Sequence, residues 1–233
     1  MSTNKDASSL NNKAIYDFTK FSHLDYTDHL SCIVWFSGCN MRCDYCYNKD
    51  LVFSKEGTYS YADVLEFLKT RVNLLDAVVL SGGEATTHEL ADFCKSIKGL
   101  GYKIKLDTNG TNYERVKELI DLSLLDFVAL DYKAPKEKFT TLTNSSKYND
   151  FSKTLDLLTQ GKIDYEVRTT LHSDLLNEDD INSIINDLTQ KGYEKKYYLQ
   201  RFLNTGCNIG NIPAPSSPFD ESLLSNELEV VYR

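Results

Sequence analysis

The chain has 233 residues, a formal net charge of −8, and 41% hydrophobic and 12% aromatic side chains. That apolar content excludes a mostly disordered chain, and 11 glycines with 4 prolines exclude a collagen-like or low-complexity one. The acidic balance argues against a grip on nucleic acid by general charge attraction, and the length suits one large domain that buries its core without staples.

Residues 1–13 are polar, lack the apolar stretch of a secretory signal and read as a flexible leader. No apolar run is long enough to span a bilayer, so the cytoplasm is the expected location and no membrane partner is expected. The body of the chain, 14–203, alternates short apolar runs with helical spacing. Strand candidates fall at 31–36, 77–80, 103–106, 127–130, 163–171 and 197–202. Between them, Tyr61, Val64, Leu65, Leu68 and Val72 share one helical face, with Ser60 as N-cap and Asp63 three residues on. Leu90, Phe93, Cys94 and Ile97 mark the next face, ended by Gly99 or Gly101. Further faces are marked by Val116, Leu119 and Ile120, by Phe151, Leu155 and Leu158 before Gly161, and by Ile181, Ile184, Ile185 and Leu188 before Gly192. Six strands joined by five helical crossovers predict an α/β fold with a parallel sheet, either doubly wound or a complete or partial barrel. Both shapes place ligands beyond the carboxyl ends of the strands. Residues 204–233, with Pro213, Pro215 and Pro218, read as an irregular C-terminal extension.

The six cysteines are Cys32, Cys39, Cys43, Cys46, Cys94 and Cys207. Cys39, Cys43 and Cys46 stand in a C-x3-C-x2-C pattern directly after the first strand candidate. In a reducing compartment such a group is metal-binding or catalytic rather than disulfide-forming. Structural zinc and fully protein-ligated iron–sulfur clusters take four protein ligands. Three leave one metal position open, which is where substrate or cofactor chemistry takes place. On spacing alone two other readings stay open: structural zinc with Cys32, Cys207 or a histidine as fourth ligand, and an electron-transfer cluster with a fourth cysteine. Cys94 and Cys32 lie on apolar faces and read as packing, Cys207 as exposed or metal-facing, and the four histidines show no ligand spacing.

The stretch 34–48, Val-Trp-Phe-Ser-Gly-Cys-Asn-Met-Arg-Cys-Asp-Tyr-Cys-Tyr-Asn, resembles the signature loop of the radical S-adenosylmethionine (SAM) superfamily. More narrowly it resembles the activating enzymes of glycyl radical enzymes. Residues 18–26 are similar to the opening strand of anaerobic ribonucleoside-triphosphate reductase activating proteins, although Thr27-Asp28 stands where that family usually carries Pro-Gly. The resemblance implies a partial (β/α)6 TIM-like barrel. It implies that Cys39, Cys43 and Cys46 ligate three irons of a [4Fe–4S] cluster, and that the fourth iron binds the amino and carboxylate groups of SAM. One electron, from a donor such as flavodoxin or ferredoxin, would then yield a 5′-deoxyadenosyl radical. That radical would abstract hydrogen from a glycine of a partner anaerobic ribonucleotide reductase. Tyr45 matches the aromatic position that packs on adenine.

Other motifs follow later strands. Ser81-Gly82-Gly83-Glu84, read alone, is a tight turn; by resemblance it is the motif that receives the methionine amino group, with Ala85 where proline is common. Asp107-Thr108-Asn109-Gly110 and Asp131-Tyr132-Lys133 read singly as a turn and a helix cap. By resemblance, Asp107, Thr108 and Asp131 hold a monovalent cation near the SAM carboxylate, with Asn109 in the same motif, and Lys133 pairs with that carboxylate. Arg168, on a strand amid β-branched neighbours, reads either as the partner of a Glu or Asp or, by resemblance, as pointing inward toward SAM, and Gln200 would similarly point inward. Two alternatives carry different functions: a 7-carboxy-7-deazaguanine synthase-like radical SAM enzyme, and a zinc-stabilised binding module without catalysis.

Overall fold

The computed structural model describes residues 11–233, so residues 1–10 of the expected leader lie outside the described residues. The described chain forms two compact units, one built from residues up to 40, 50–108 and 114–128, the other from 41–49, 109–113 and 129–233.

In the first unit, β1 (Ile15–Ser22) runs antiparallel to β2 (Ser31–Phe36). Strand β2 then pairs in parallel with β3 (Ala77–Gly82), and β3 with β4 (Lys103–Thr108). The next strand, β5 (Phe127–Asp131), starts in this unit. Helices α1 (Lys49–Phe53), α2 (Tyr61–Lys69), α3 (Ala91–Gly99) and α4 (Tyr113–Asp121) fill the crossovers. The capping box expected at α2 is formed in both directions: Ser60 Oγ accepts from Asp63 N, and Asp63 accepts from Ser60 N. One face of the sheet meets these helices through buried rings; Tyr61 of α2 stacks on Phe93 of α3 at 4.4 Å, and Phe36 packs beside both. The opposite face carries Ile33, Ala77 and Val79 packed with Tyr26, Trp35 and Phe127. Strands buried on both faces explain the near-continuous apolar run of β2.

In the second unit, β5 ends and β6 (Asp164–Leu171), β7 (Tyr197–Arg201) and β8 (Val230–Tyr232) follow, with β6–β7 and β7–β8 parallel. Its helices are α5 (Lys136–Thr143), α6 (Tyr148–Gln160) and α7 (Glu178–Gln190). Tyr132, fully buried, packs its ring on Phe151 of α6 and donates its hydroxyl to Asp187 of α7 at 2.8 Å.

All six expected strands are present as β2 to β7. Strand β1 begins at Ile15 and ends at Ser22, earlier than the 18–26 stretch that carried the resemblance. Helix α5 and strand β8 were not legible in the pattern: α5 offers only Phe139 and Leu142 as apolar positions, and β8 is three residues long.

Candidate functional site

The first unit assembles the polar ends of β3 and β4. The Gly82-Gly83 turn is forced by backbone crowding. A Cβ on Gly83 would lie 1.8 Å from the carbonyl oxygen of Gly38, and one on Gly82 would lie 2.3 Å from the amide nitrogen of Phe36. Glu84 N donates to that same Gly38 carbonyl at 3.0 Å. The absence of side chains thus fastens this turn to the residue preceding Cys39. Glu84 is 2% exposed, and its Oε1 accepts from Thr86 N, from the Thr86 hydroxyl at 2.6 Å and from the Thr108 hydroxyl at 2.8 Å. One buried carboxylate therefore caps the short 3-10 turn Ala85–Thr87 and ties β3 to β4.

Asp107 accepts from Ser81 at 3.1 Å and pairs with Lys105 at 3.4 Å. Lys105 is 5% exposed; its ammonium also donates to the Asp25 carbonyl and lies 5.7 Å from the centre of the Phe127 ring. Sequence reading missed Lys105. The available signal was the period-two series Lys103, Lys105, Asp107, which puts charge on a single face of a strand.

The second unit holds Cys43, Tyr45, Cys46, Asn109, Asp131, Lys133, Arg168 and Gln200. Asn109 is buried and closes its own turn, accepting from Thr111 N at 3.0 Å and from the Thr111 hydroxyl at 2.6 Å. Gln200 of β7 is half-buried in register with Thr170. Asp131 ends β5 and is bound on both oxygens: Arg168 Nε lies 2.5 Å from Oδ1 and Lys133 Nζ 3.0 Å from Oδ2. Burial pushes the Asp131 carboxyl up, but Arg168 and then Lys133 outweigh it and hold it at about 2. Lys133 loses by burial and gains more from Asp131, so its ammonium is held above its ordinary value. Two cations thus flank this one carboxylate.

Cys43 is 6% exposed, while Cys39 and Cys46 are half-buried. Burial pushes the Cys43 thiol up to about 11, against the pull of Lys133. The Tyr45 hydroxyl is buried near Cys43 without a well-formed hydrogen bond, and its proton is held far more tightly than normal, by burial first. An isolated Cys43 therefore stays a neutral thiol, and a metal supplies the positive charge that would release its proton. Cys32 and Cys94 are fully buried thiols that burial pushes up to about 12, in keeping with packing roles, and Cys207 is exposed.

Two checks on the implied cofactors come from these donors. The cysteine trio offers soft sulfur donors outside any disulfide, as iron requires. Among the described residues no three Cys, His, Asp or Glu side chains are already gathered into one metal site, so the ligand assignment rests on spacing and donor type. The residues to which the resemblance gave a monovalent cation already have protein partners. Asp107 is already paired with Lys105, Asp131 is already paired with Arg168 and Lys133, and the Thr108 hydroxyl serves Glu84. A further cation at either carboxylate would face protein cations within bonding distance.

A family model described as the radical SAM superfamily matches residues 33–188. Two proteins of Methanocaldococcus jannaschii named as glycyl-radical enzyme activating enzymes are similar to the chain. One is 31% identical over 173 residues, covering 70% of each chain. The other is 28% identical over 231 residues, covering 94% of this chain and 84% of the relative. Among solved structures, anSMEcpe with bound AdoMet matches at a TM-score of 0.59 and 20% identity, over 72% of this chain and 49% of that one. This chain thus spans about half the length of that solved one. The likeness carries the fold, and the expected α/β partial barrel stands. A [4Fe–4S] cluster and SAM are the cofactors of this superfamily. Among the described residues no helix is long and apolar enough to cross a membrane. The chain belongs to the radical SAM superfamily, and the two relatives described above are named as activating enzymes of glycyl-radical enzymes.

Proposed function

We propose that this enzyme activates a partner glycyl-radical enzyme, an anaerobic ribonucleoside-triphosphate reductase, in the cytoplasm, with flavodoxin or ferredoxin as electron donor. The observation that carries the reading is the buried Cys43 set among Lys133, Asp131 and Tyr45, on a loop with the superfamily's cysteine spacing. Bound cluster and SAM supply the chemistry: one-electron cleavage of the sulfonium and abstraction of hydrogen from a glycine of the partner.

The chain's own part is to bind, orient and exclude water. Cys39, Cys43 and Cys46 hold three irons. Lys133 and Arg168, cations suited to a carboxylate, would receive that of SAM. Tyr45 packs beside the cysteines on the adenine side, and Glu84 with Gly82 and Gly83 forms the turn that receives the amino group. Asp107, Thr108 and Asn109 shape the neighbouring loop. In this reading Asp131 positions the two cations and does not bind a metal.

Anaerobic purification with metal and sulfide analysis tests the proposal. About four irons and four sulfides per chain, absorption bleached by dithionite, and release of 5′-deoxyadenosine support it. One zinc without sulfide would make the chain a binding module. A glycyl radical signal by electron paramagnetic resonance in the candidate reductase tests the partner, and production of a deazapurine carboxylate instead would move the enzyme to the synthase class. Cys43→Ala is expected to lose iron and sulfide and all SAM cleavage while keeping its circular dichroism spectrum.

A further inference from the structure

The cysteine loop of the second unit is gripped along two edges. On one side, the C-terminal end of α5 receives it: Arg42 N donates to Thr143 O at 2.8 Å, Asp44 N to Leu142 O at 3.2 Å, and the Asn144 amide to Arg42 O at 2.9 Å. On the other side lies the extension that the sequence presents as irregular. Ile209 N donates to Cys46 O at 3.0 Å, and Gly210 N donates to Asp44 O at 2.8 Å. The approach is so close that a Cβ on Gly210 would stand 2.7 Å from the Asp44 Cβ.

The gripping segment is shaped before it reaches the loop. Asn208 is 4% exposed, whereas its neighbours from 203 to 207 are all exposed. Its side-chain amide closes residues 208–212 on themselves, accepting from Ile212 N at 2.8 Å and donating to Ile212 O at 2.8 Å. Just beyond, the segment is anchored to the loop after β6. His172 Nε2 donates to Pro213 O at 3.0 Å, and Asp174 accepts from Ser216 N at 2.9 Å and Ser217 N at 2.7 Å.

We infer that residues 208–212 are a strap that sets the spacing of Cys43 and Cys46, with Asn208 as its positioning residue and Gly210 as the contact only glycine permits. This rests on the proposal that Cys39, Cys43 and Cys46 hold the cluster. The physical argument is one of constraint. A loop that presents thiolates to a cluster retains it better when its backbone cannot spread. Here the carbonyls of Asp44 and Cys46 are held by two amides that come from a prefolded turn rather than from water. Asn208→Ala removes both bonds that prefold the turn, and Gly210→Val drives the strap off Asp44.

The test measures iron loss from the anaerobically loaded enzyme to a chelator, together with the paramagnetic resonance spectrum of the reduced cluster. Asn208→Ala and Gly210→Val are expected to lose iron about tenfold faster than wild type and to broaden the spectrum. Asn208→Asp, which keeps the acceptor for Ile212 N, should fall between. Rates and spectra identical to wild type in both folded variants would overturn the strap. Hydrogen exchange of the unmutated, cluster-free chain keeps the question open to refutation should the variants misfold. The amides of Ile209 and Gly210 are expected to be protected, and free exchange at both would refute the contact itself. Wild-type protein that carries no iron would instead refute the cluster assignment, leaving the amide protection to decide the strap.

Discussion

Asp131→Asn isolates the buried charge group at the end of β5. The three side chains are mostly buried, with 20% exposure for Asp131, 17% for Lys133 and 14% for Arg168. Depression of the Asp131 carboxyl from 3.8 to about 2 corresponds to roughly 2 kcal/mol of stability, at about 1.4 kcal/mol per unit. Removing one member of a buried pair costs about 3–5 kcal/mol, because the remaining charge is left uncompensated. The first figure counts only the carboxylate against its own acid, and the second counts the stranded cations as well. We expect a loss between about 2 and 4 kcal/mol at neutral pH. The pH dependence identifies the cause. A carboxyl held low in the folded chain contributes fully above 3.8, and the contribution is lost as pH falls through about 2. The gap in urea midpoint between wild type and Asp131→Asn, measured on the cluster-free chain, is therefore constant from neutral pH to about 5 and closes between about 4 and 2. A gap that persists undiminished near pH 2, or no gap at neutral pH, would show that Asp131 is not the counter-charge of Arg168 and Lys133.

Three other outcomes follow from the first unit. Gly83→Ala must displace the Gly38 carbonyl, and is expected to lower unfolding free energy by about 1–3 kcal/mol with reduced iron occupancy; thermal unfolding and metal analysis check both. Glu84→Ala removes the carboxylate to which the Thr86 and Thr108 hydroxyls donate and should cost about 2–3 kcal/mol while weakening SAM binding by calorimetry. An unchanged melting temperature would mean that the carboxylate does not join β3 to β4. Replacing sodium and potassium by choline should leave the SAM dissociation constant unchanged, because Lys105 already neutralises Asp107. A strong requirement for potassium would show that a metal ion displaces Lys105.

What the sequence made legible was what local rules encode. The runs at β2, β3 and β5 are short and largely apolar because these strands are almost wholly buried, and the Ser60–Asp63 box announces α2 through contacts three residues apart. The cysteine spacing is equally local. The readings that changed depend on partners distant in sequence. Arg168 meets Asp131 across 37 residues, so no window shows that a carboxylate assigned to a metal ion is already neutralised. The Gly82-Gly83 turn approaches backbone at Phe36 and Gly38, more than forty residues earlier, which no local window shows.

Lys105 shows why charge patterns mislead in such a strand. Between Ile104 and Leu106 it reads as a solvent-facing residue of a half-exposed strand, since an alternating pattern ordinarily means one wet face. Here the face that carries Lys105 also carries Asp107, and the Asp25 carbonyl and the Phe127 ring complete the ammonium's surroundings. A buried lysine with a carboxylate two residues on, a carbonyl and an aromatic face needs no water. Period two in β4 therefore runs from an exposed Lys103 to a buried Lys105 and a half-buried Asp107. Charge at alternate positions of a strand whose other face is apolar thus does not by itself mark a wet face, since Lys105 is 5% exposed.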